Sequence, residues 1–337
     1  MPPAGVFRQR RRERAVIETR LTKAFGLEAP IISAPMAKVG GGRLAAAVSH
    51  AGALGIIGGG YCEPEWIANE FNNAGNAGVG CGFITWRLAG VPGLLEDVLS
   101  RKPRAVFLSF GDPMLPASAI KAAGVPLICQ IQSLTDARVA IDAGADVLVA
   151  QGGEAGGRGA SRGTMTLVPE VADLLAKSAP EVLLCAAGGI ADGRGLAAAL
   201  MLGADGIVAG TRFWAAEEAL APKGHHAAGI AANGDQTIHT KVVDIARNFD
   251  WPARFDNRVL QNDFTAEWHG RYDELAADKT AQASWHEALE NGDTSIASAT
   301  VGEAIGLVRA TKPAALIVED MIREAQSLLG GGWQRKN

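Results

Sequence analysis

The chain has 337 residues, of which 48% are hydrophobic and 20% are charged, and its formal net charge is -4 at pH 7. This composition is typical of a globular protein with a large core, and the length suits one large domain or a barrel with an added lobe. The acidic balance argues against nucleic acid as the main partner, and no apolar run reaches the roughly 18 residues of a membrane span. We also find no signal-peptide core, so we expect a cytoplasmic protein that acts on small molecules.

A basic cluster opens the chain. It contains Arg8, Arg10, Arg11, Arg12 and Arg14 and follows the sequence Met-Pro-Pro-Ala-Gly. Its terminal position favours a solvated arm, which we place at residues 1–20. A targeting role and a contact between subunits stay open as alternatives.

Eight short apolar runs follow along the chain. They are nearly continuous in apolarity, without strict alternation, which is typical of parallel strands covered on both faces. The runs are Pro30–Pro35, Ala53–Ile57, Gly78–Ile84, Ala105–Phe110, Pro126–Ile131, Asp146–Ala150, Val182–Ala187 and Gly206–Ala209.

Alanine-rich stretches of helical character separate these runs. They are Gly41–His50, Pro64–Asn72, Pro92–Ser100, Ser118–Ala123, Leu134–Ala143, Val168–Ser178 and Gly193–Leu202. Glycine recurs at their ends, as in Ala143-Gly144-Ala145-Asp146, where it caps a helix and leads into the next strand. The alternation predicts an α/β chain folded as a (β/α)8 TIM barrel over residues 21–212, and a doubly wound open sheet is the alternative.

The alternation stops after Gly210. Residues 213–298 are more polar and helical and contain most of the histidines and tryptophans, so we predict a small, mainly helical lobe that caps the barrel mouth after strand eight. Residues 299–337 include an amphipathic helix that is predicted to return to the barrel's outer ring.

The four cysteines, Cys62, Cys81, Cys129 and Cys185, form no C-x-x-C pair. Three lie in or beside predicted strands. We therefore interpret them as small core residues, with no disulfide or metal site.

Glycine-rich loops follow several strands, at the barrel face where active sites lie. Residues 150–159 hold five glycines directly after the sixth run, which favours close approach of the backbone to a flat or anionic ligand. Gly188 and Gly189 follow strand seven, and Gly210 and Thr211 follow strand eight. Barrels often bind phosphate between these two loops.

The strand-end motifs together resemble those of the nitronate monooxygenase family, formerly called 2-nitropropane dioxygenases. The resemblance covers roughly residues 22–329 and is specific, because separate motifs recur in the correct order with barrel spacing. Arg258–Asn262 in the lobe also resembles that family's segment near the active site. The motifs are Ile31–Ala37, Val79–Ile84, Ile128–Ser133, Asp146–Gly157, Ala187–Ile190 and Ala209–Phe213.

The resemblance implies an FMN cofactor, and it implies the residues that contact it. Ala34, Pro35 and Met36 would present their backbone to the flavin ring, Gln130 would lie near its pyrimidine side, and Gln151 and Gly152 would flank the ring. Further cofactor contacts would come from Phe83, Gly156 and Gly157. The phosphate would be held by Gly188, Gly189, Gly210 and Thr211. Small residues and backbone amides at strand ends agree with a planar cofactor across a barrel mouth.

One residue departs from the family pattern. Arg158 stands after Glu-Ala-Gly-Gly, where the family usually has the histidine that removes a proton next to the nitro group. Arginine stays protonated, so it cannot act as a base, but its planar fork can bind an anion. We therefore hypothesise that the enzyme uses O2 to oxidise preformed nitronates, or another small anionic substrate, with neutral nitroalkanes as poor substrates. Arg158 and Gln151 are the predicted catalytic residues.

Other bases and other functions stay open. A lobe histidine, with His239 first and His225 or His226 next, would supply the missing base, and Glu154 is a further carboxylate that the resemblance makes structural. The alternative enzyme is an FMN-dependent NAD(P)H:quinone or enoyl-thioester reductase, and the alternative outside catalysis is a decayed flavin-binding protein. A flavin-free aldolase or isomerase is less favoured, because Lys38 has no evident partner at the strand ends.

Overall fold

A computed structural model describes residues 16–222 and 224–332 of the chain. The cluster from Arg8 to Arg14 lies outside the described residues, so the predicted basic arm stays a prediction. Within those two described ranges, no helix combines the length and the apolarity needed to cross a bilayer.

Eleven strands form two sheets in the part of the chain that the structure describes. In chain order they are β1 (Ile31–Ser33), β2 (Ile56–Gly60), β3 (Gly80–Ile84), β4 (Val106–Ser109), β5 (Leu127–Ile131), β6 (Val147–Gln151), β7 (Gly157–Gly159), β8 (Leu183–Ala187), β9 (Gly206–Ala209), β10 (Thr237–Thr240) and β11 (Asp256–Leu260).

The larger sheet is a barrel of eight parallel strands in the order β1-β9-β8-β6-β5-β4-β3-β2. Its two ends meet because the Ser33 amide donates to the Leu54 carbonyl and the Leu54 amide donates to the Ile31 carbonyl, each at 3.0 Å. The predicted TIM barrel is therefore confirmed, and the open sheet is wrong. Each predicted run overlaps one barrel strand.

Sixteen α-helices accompany the strands among the described residues. They are α1 (Arg20–Phe25), α2 (Gly42–His50), α3 (Pro64–Ala74), α4 (Thr85–Leu88), α5 (Leu94–Ser100), α6 (Met114–Ala122), α7 (Leu134–Asp142), α8 (Thr164–Ser178), α9 (Gly193–Met201), α10 (Thr211–Trp214), α11 (His225–Ala231), α12 (Val242–Ala246), α13 (Asp263–Trp268), α14 (Tyr272–Ala277), α15 (Lys279–Asn291) and α16 (Ala314–Leu329).

The barrel strands send alternate side chains inward and outward. In β5, Ile128 joins the cluster inside the barrel, whereas Leu127 and Cys129 join the core between strands and helices. Leu21 and Phe25 of α1 pack into the inner cluster. Helix α1 thus covers the end of the barrel where strands begin and leaves the opposite end for a ligand.

All four cysteines are buried and unpaired. Burial raises the pKa of the Cys62 and Cys129 thiols to about 12, and it raises the pKa of Cys81 and Cys185 further still. These thiols therefore stay protonated near neutral pH and serve as packing residues.

The lobe after β9 is mainly helical, as predicted, but it also contains a sheet that the sequence did not predict. Strands β10 and β11 pair antiparallel, and β11 also pairs with β7, which lies inside the glycine-rich loop. Each of these strands has three to five residues and carries polar side chains, so no strand periodicity is visible. The pairing joins the lobe to the loop that carries Arg158.

The C-terminal helix α16 packs on α9 at the barrel's outer ring. The Gly193 amide at the start of α9 donates to the Glu324 carboxylate at 2.9 Å, and the buried face of α16 includes Ile317, Met321 and Ala325. The amphipathic segment therefore returns to the barrel, while the domain boundaries drawn from the sequence stay a prediction.

Gly55 permits the close contact between α2 and the chain entering β2. A Cβ built on Gly55 would lie 1.8 Å from the Ala45 carbonyl oxygen, so Gly55→Ala is expected to displace α2 and lower the free energy of unfolding by about 1–3 kcal/mol. Urea unfolding followed by circular dichroism measures this. Gly90→Ala is the matched control, since a Cβ there would lie 3.4 Å from the Arg87 carbonyl oxygen. Equal midpoints for both variants would contradict the contact.

Candidate active site

A cavity of about 350 Å³ opens at the carboxyl ends of the barrel strands and continues under the lobe. Its barrel wall comes from the loops after the strands, and its outer wall comes from α11, α12, α15 and the segment 298–304. This is the barrel face at which catalytic residues are expected.

Small residues and short loops form the floor of the cavity. Ala34, Pro35 and Met36 follow β1, and Phe83 lies on β3. Gln130, on β5, has a buried side-chain amide nitrogen with no hydrogen-bond partner among the described residues. A ligand that accepts a hydrogen bond at this point would satisfy the Gln130 amide.

The loops after β8 and β9 form an open cradle beside this floor. Gly188 has φ +100°, and a Cβ there would lie 2.8 Å from Thr164 Oγ1, so both the turn and the close packing require glycine. Gly210 is the N-cap of α10 and offers no side-chain cap, while Thr211 Oγ1 accepts a hydrogen bond of 2.9 Å from the Gly302 amide. These features suit an anion that approaches backbone amides.

Hydrogen bonds order the glycine-rich loop. The Gln151 side chain accepts from Gln132 at 3.2 Å and donates to the Arg158 carbonyl at 2.9 Å. The Glu154 carboxylate accepts from the Thr164 amide and hydroxyl at 2.8–3.1 Å. Glu154 therefore has a structural role, and the loop holds Arg158 in a defined place.

Arg158 is buried against the lobe. Its guanidinium forms an ion pair with Asp244 of α12 and lies 4.4 Å from the centre of the Trp251 ring. Burial lowers the pKa of Arg158 from its ordinary value, and Tyr61 opposes that change. The group stays charged at any working pH, and Asp244 offsets much of its charge.

Aromatic rings surround the end of the cavity near Arg158. Trp251 makes edge contacts with Phe110 at 5.3 Å and with Trp86 at 5.5 Å between ring centres. Arg247 also lines the cavity, with its guanidinium 5.3 Å from the Tyr61 ring centre. Two arginines and one carboxylate at this end leave a net positive charge, which favours an anionic ligand.

The three histidines proposed as bases occupy different places. His239 Nε2 lies 2.9 Å from the Gly153 carbonyl oxygen, and His226 Nε2 lies 2.7 Å from that of Trp214. His225 lines the cavity, and its Nε2 has no hydrogen-bond partner among the described residues. Burial and the neighbouring His226 lower the pKa of His225, while a hydrogen bond with the Ala297 backbone opposes the change.

His225 should weaken the fold in mild acid. The pKa of His225 in the folded protein lies below its unfolded value of about 6.5. Below about pH 6.5 the unfolded chain therefore binds a proton at His225 more readily than the folded chain does, so the free energy of unfolding falls as the pH falls. We expect His225→Gln to flatten the decline of melting temperature between pH 7.5 and pH 5.5. The exposed His286→Gln is the control, and equal slopes in all three proteins would contradict the argument.

The cavity gathers most of the residues predicted to contact a cofactor. Arg158 lines it together with all of those residues except Gly152, which packs on Thr164 and Glu154. His239 also lies outside the lining, against the glycine-rich loop. Sequence reasoning missed Asp244, Trp251, Arg247, Trp285 and Ser298, because single residues in a polar lobe carry no motif.

Comparison with known proteins identifies relatives of the chain. The family model described as nitronate monooxygenase matches residues 18–77 and 87–324. A nitronate monooxygenase of Neurospora crassa is 34% identical over 339 residues, covering 88% of this chain and 89% of the relative. The nitronate monooxygenase npaC of Metarhizium robertsii is 37% identical over 334 residues, covering 89% and 91%. Among solved structures, FabK from Thermotoga maritima superposes with a TM-score of 0.81 at 30% identity, covering 94% of this chain and 98% of that one.

Proposed function

The chain belongs to the nitronate monooxygenase family of oxidoreductases, and on that premise we propose that it binds FMN and oxidises alkyl nitronates with O2. The observation that carries the proposal is the cavity itself. It joins a glycine cradle suited to a phosphate with a cationic, aromatic end suited to a small anion.

The residues present fit FMN. The ring would lie on the small residues that follow β1 and β3, and the unpartnered Gln130 amide would donate to a ring acceptor. The phosphate would be held at Gly188, Gly189 and Gly210 with the Thr211 hydroxyl, where side chains leave the backbone accessible.

When bound, FMN would supply the redox chemistry by taking electrons from the substrate and passing them to O2. The protein's own residues position the substrate. The Arg158 guanidinium would donate hydrogen bonds to nitronate oxygens, and Arg247 would contribute positive charge that no carboxylate offsets among the described ion pairs. The aromatic rings beside them would exclude water from the anion.

Arg158 also defines which substrate form is used. A neutral nitroalkane must lose a proton before oxidation, whereas a nitronate is already the anion. Because Arg158 cannot accept that proton, we propose that the enzyme takes nitronates from solution.

An anaerobic stopped-flow experiment tests this proposal. The purified holoprotein is mixed separately with ethyl nitronate, nitroethane and NADH, and flavin bleaching is followed in the visible band. Bleaching by ethyl nitronate alone is the expected result. Dominant bleaching by NADH would assign the protein to the reductases, and a colourless protein that takes up no FMN would overturn the flavin assignment.

A further inference from the structure

Three buried side chains on the lobe side of the cavity each carry one polar atom that has no hydrogen-bond partner among the described residues. They are His225 of α11, Trp285 of α15 and Ser298, which we call the lobe recess. Their exposed fractions are 3%, 3% and 5%, and the unpartnered atoms are His225 Nε2, Trp285 Nε1 and Ser298 Oγ. Native proteins leave few buried polar groups unsatisfied, so three such atoms on residues that line one cavity point to a bound group.

The recess adjoins the proposed substrate end of the cavity. Ser298 belongs to the segment that continues through Thr300 to Gly302, and a Cβ built on Gly157 would lie 3.7 Å from Thr300 Cγ2. Gly157 directly precedes Arg158. Arg158 and the lobe recess therefore line the same cavity, so one substrate can contact both.

Donors and acceptors in the recess define the group it would take. A hydrogen bond with the Ala297 backbone raises the pKa of His225, as donation from the ring to the Ala297 carbonyl would. We therefore assign the donating proton to the other ring nitrogen, which makes Nε2 of the neutral ring an acceptor. Trp285 Nε1 is only a donor, and the Ser298 hydroxyl is both. The complement is a neutral group that donates one hydrogen bond and accepts two.

A hydroxyl or a carboxamide has this character, whereas a carboxylate lacks the donor that His225 needs. The apolar side chains of Leu220, Pro222 and Leu289 also line the cavity. They suit a short carbon chain that leads to such a group.

We propose that the lobe recess binds a hydroxyl or carboxamide at the far end of the substrate, so that the substrate is a functionalised nitronate. This inference rests on the proposed function for the anionic end. A simple alkyl nitronate has no polar group at that end, so only water could form hydrogen bonds with the three polar atoms.

Unreactive carboxylates that mimic the nitronate end provide the test. Isothermal titration of the holoenzyme compares ω-hydroxy and ω-carboxamide carboxylates, with two to five methylene groups, against isosteres that end in methyl or isopropyl. At the length that spans the cavity, we expect the polar ligand to bind about tenfold more tightly, as two or three hydrogen bonds to buried groups would give. Comparison of the hydroxyl series with the carboxamide series shows which of the two groups the recess binds.

Ser298→Ala and Trp285→Phe should each abolish most of this preference while leaving the isosteres unchanged. Ser295→Ala is the matched control, because the Ser295 hydroxyl is exposed and donates to Asp293 at 2.6 Å. Equal affinity of polar and apolar ligands at every length, with nitronate turnover intact, would mean that the recess holds only water and would overturn this inference alone. Failure of both series to bind would overturn it as well, and absent nitronate turnover would overturn the proposed function.

Discussion

Replacing Asp244 by asparagine is expected to lower the free energy of unfolding by about 3–5 kcal/mol, because it leaves the Arg158 charge buried without its partner. The Arg158 and Asp244 side chains are only 10% and 5% exposed, so water cannot take the place of the lost carboxylate. Stacking on Trp251 compensates little of this loss, since a cation over an aromatic ring is worth about 0.5–2 kcal/mol and is present in both proteins. Urea unfolding followed by tryptophan fluorescence gives the measurement.

Two further variants show whether the loss of stability comes from leaving one charge of a buried ion pair without its partner. Asp97→Asn removes the partner of Arg101 in a half-exposed pair at 3.1 Å, and it should cost less than about 1 kcal/mol. The double variant Arg158→Met with Asp244→Leu removes both charges and should recover most of the stability. If Asp244→Asn were no more harmful than Asp97→Asn, the buried pair would not contribute to the fold as argued.

The barrel was predictable because its signals are local. Each barrel strand overlaps a short apolar run, as β6 does, and most of the intervening helices are followed by a glycine, such as Gly144 after α7. These patterns repeat along the chain, so eight weak indications together specify one topology. The loops after β8 and β9 were found for the same reason, since their glycines directly follow strands.

The lobe side of the site was not predictable in the same way. Asp244 meets Arg158 across 86 positions of sequence, in a lobe that is joined to the loop by the pairing of β11 with β7, and neither strand shows strand periodicity. The unpartnered atoms of Trp285 and Ser298 likewise depend on how helices pack, which spacing does not encode. Sequence reasoning ranked His239 above His225, whereas the structure places His225 at the cavity and His239 against a loop carbonyl.

Arg158→His is expected to raise activity on neutral nitroalkanes, which the proposed function makes poor substrates of the natural chain. The introduced imidazole would lie beside Asp244, which would accept its N–H and orient the other nitrogen, as carboxylates do for histidine bases. General base catalysis contributes about 10²–10⁴-fold, so kcat/KM for nitroethane should rise by about 100-fold. The gain should grow as the pH rises through the pKa of the imidazole, because only the neutral ring accepts a proton.

Ethyl nitronate and Arg158→Gln supply the controls for this result. The glutamine variant loses the charge without gaining a base, so it should show weaker nitronate binding and no gain on nitroethane. Comparable initial rates of the natural enzyme on nitroethane and ethyl nitronate would contradict the assignment, since another group would then be removing the proton. His225 would be the residue to replace next, because it lines the cavity and its Nε2 has no hydrogen-bond partner among the described residues. A base at that position would make nitroethane turnover insensitive to Arg158→His but sensitive to His225→Gln.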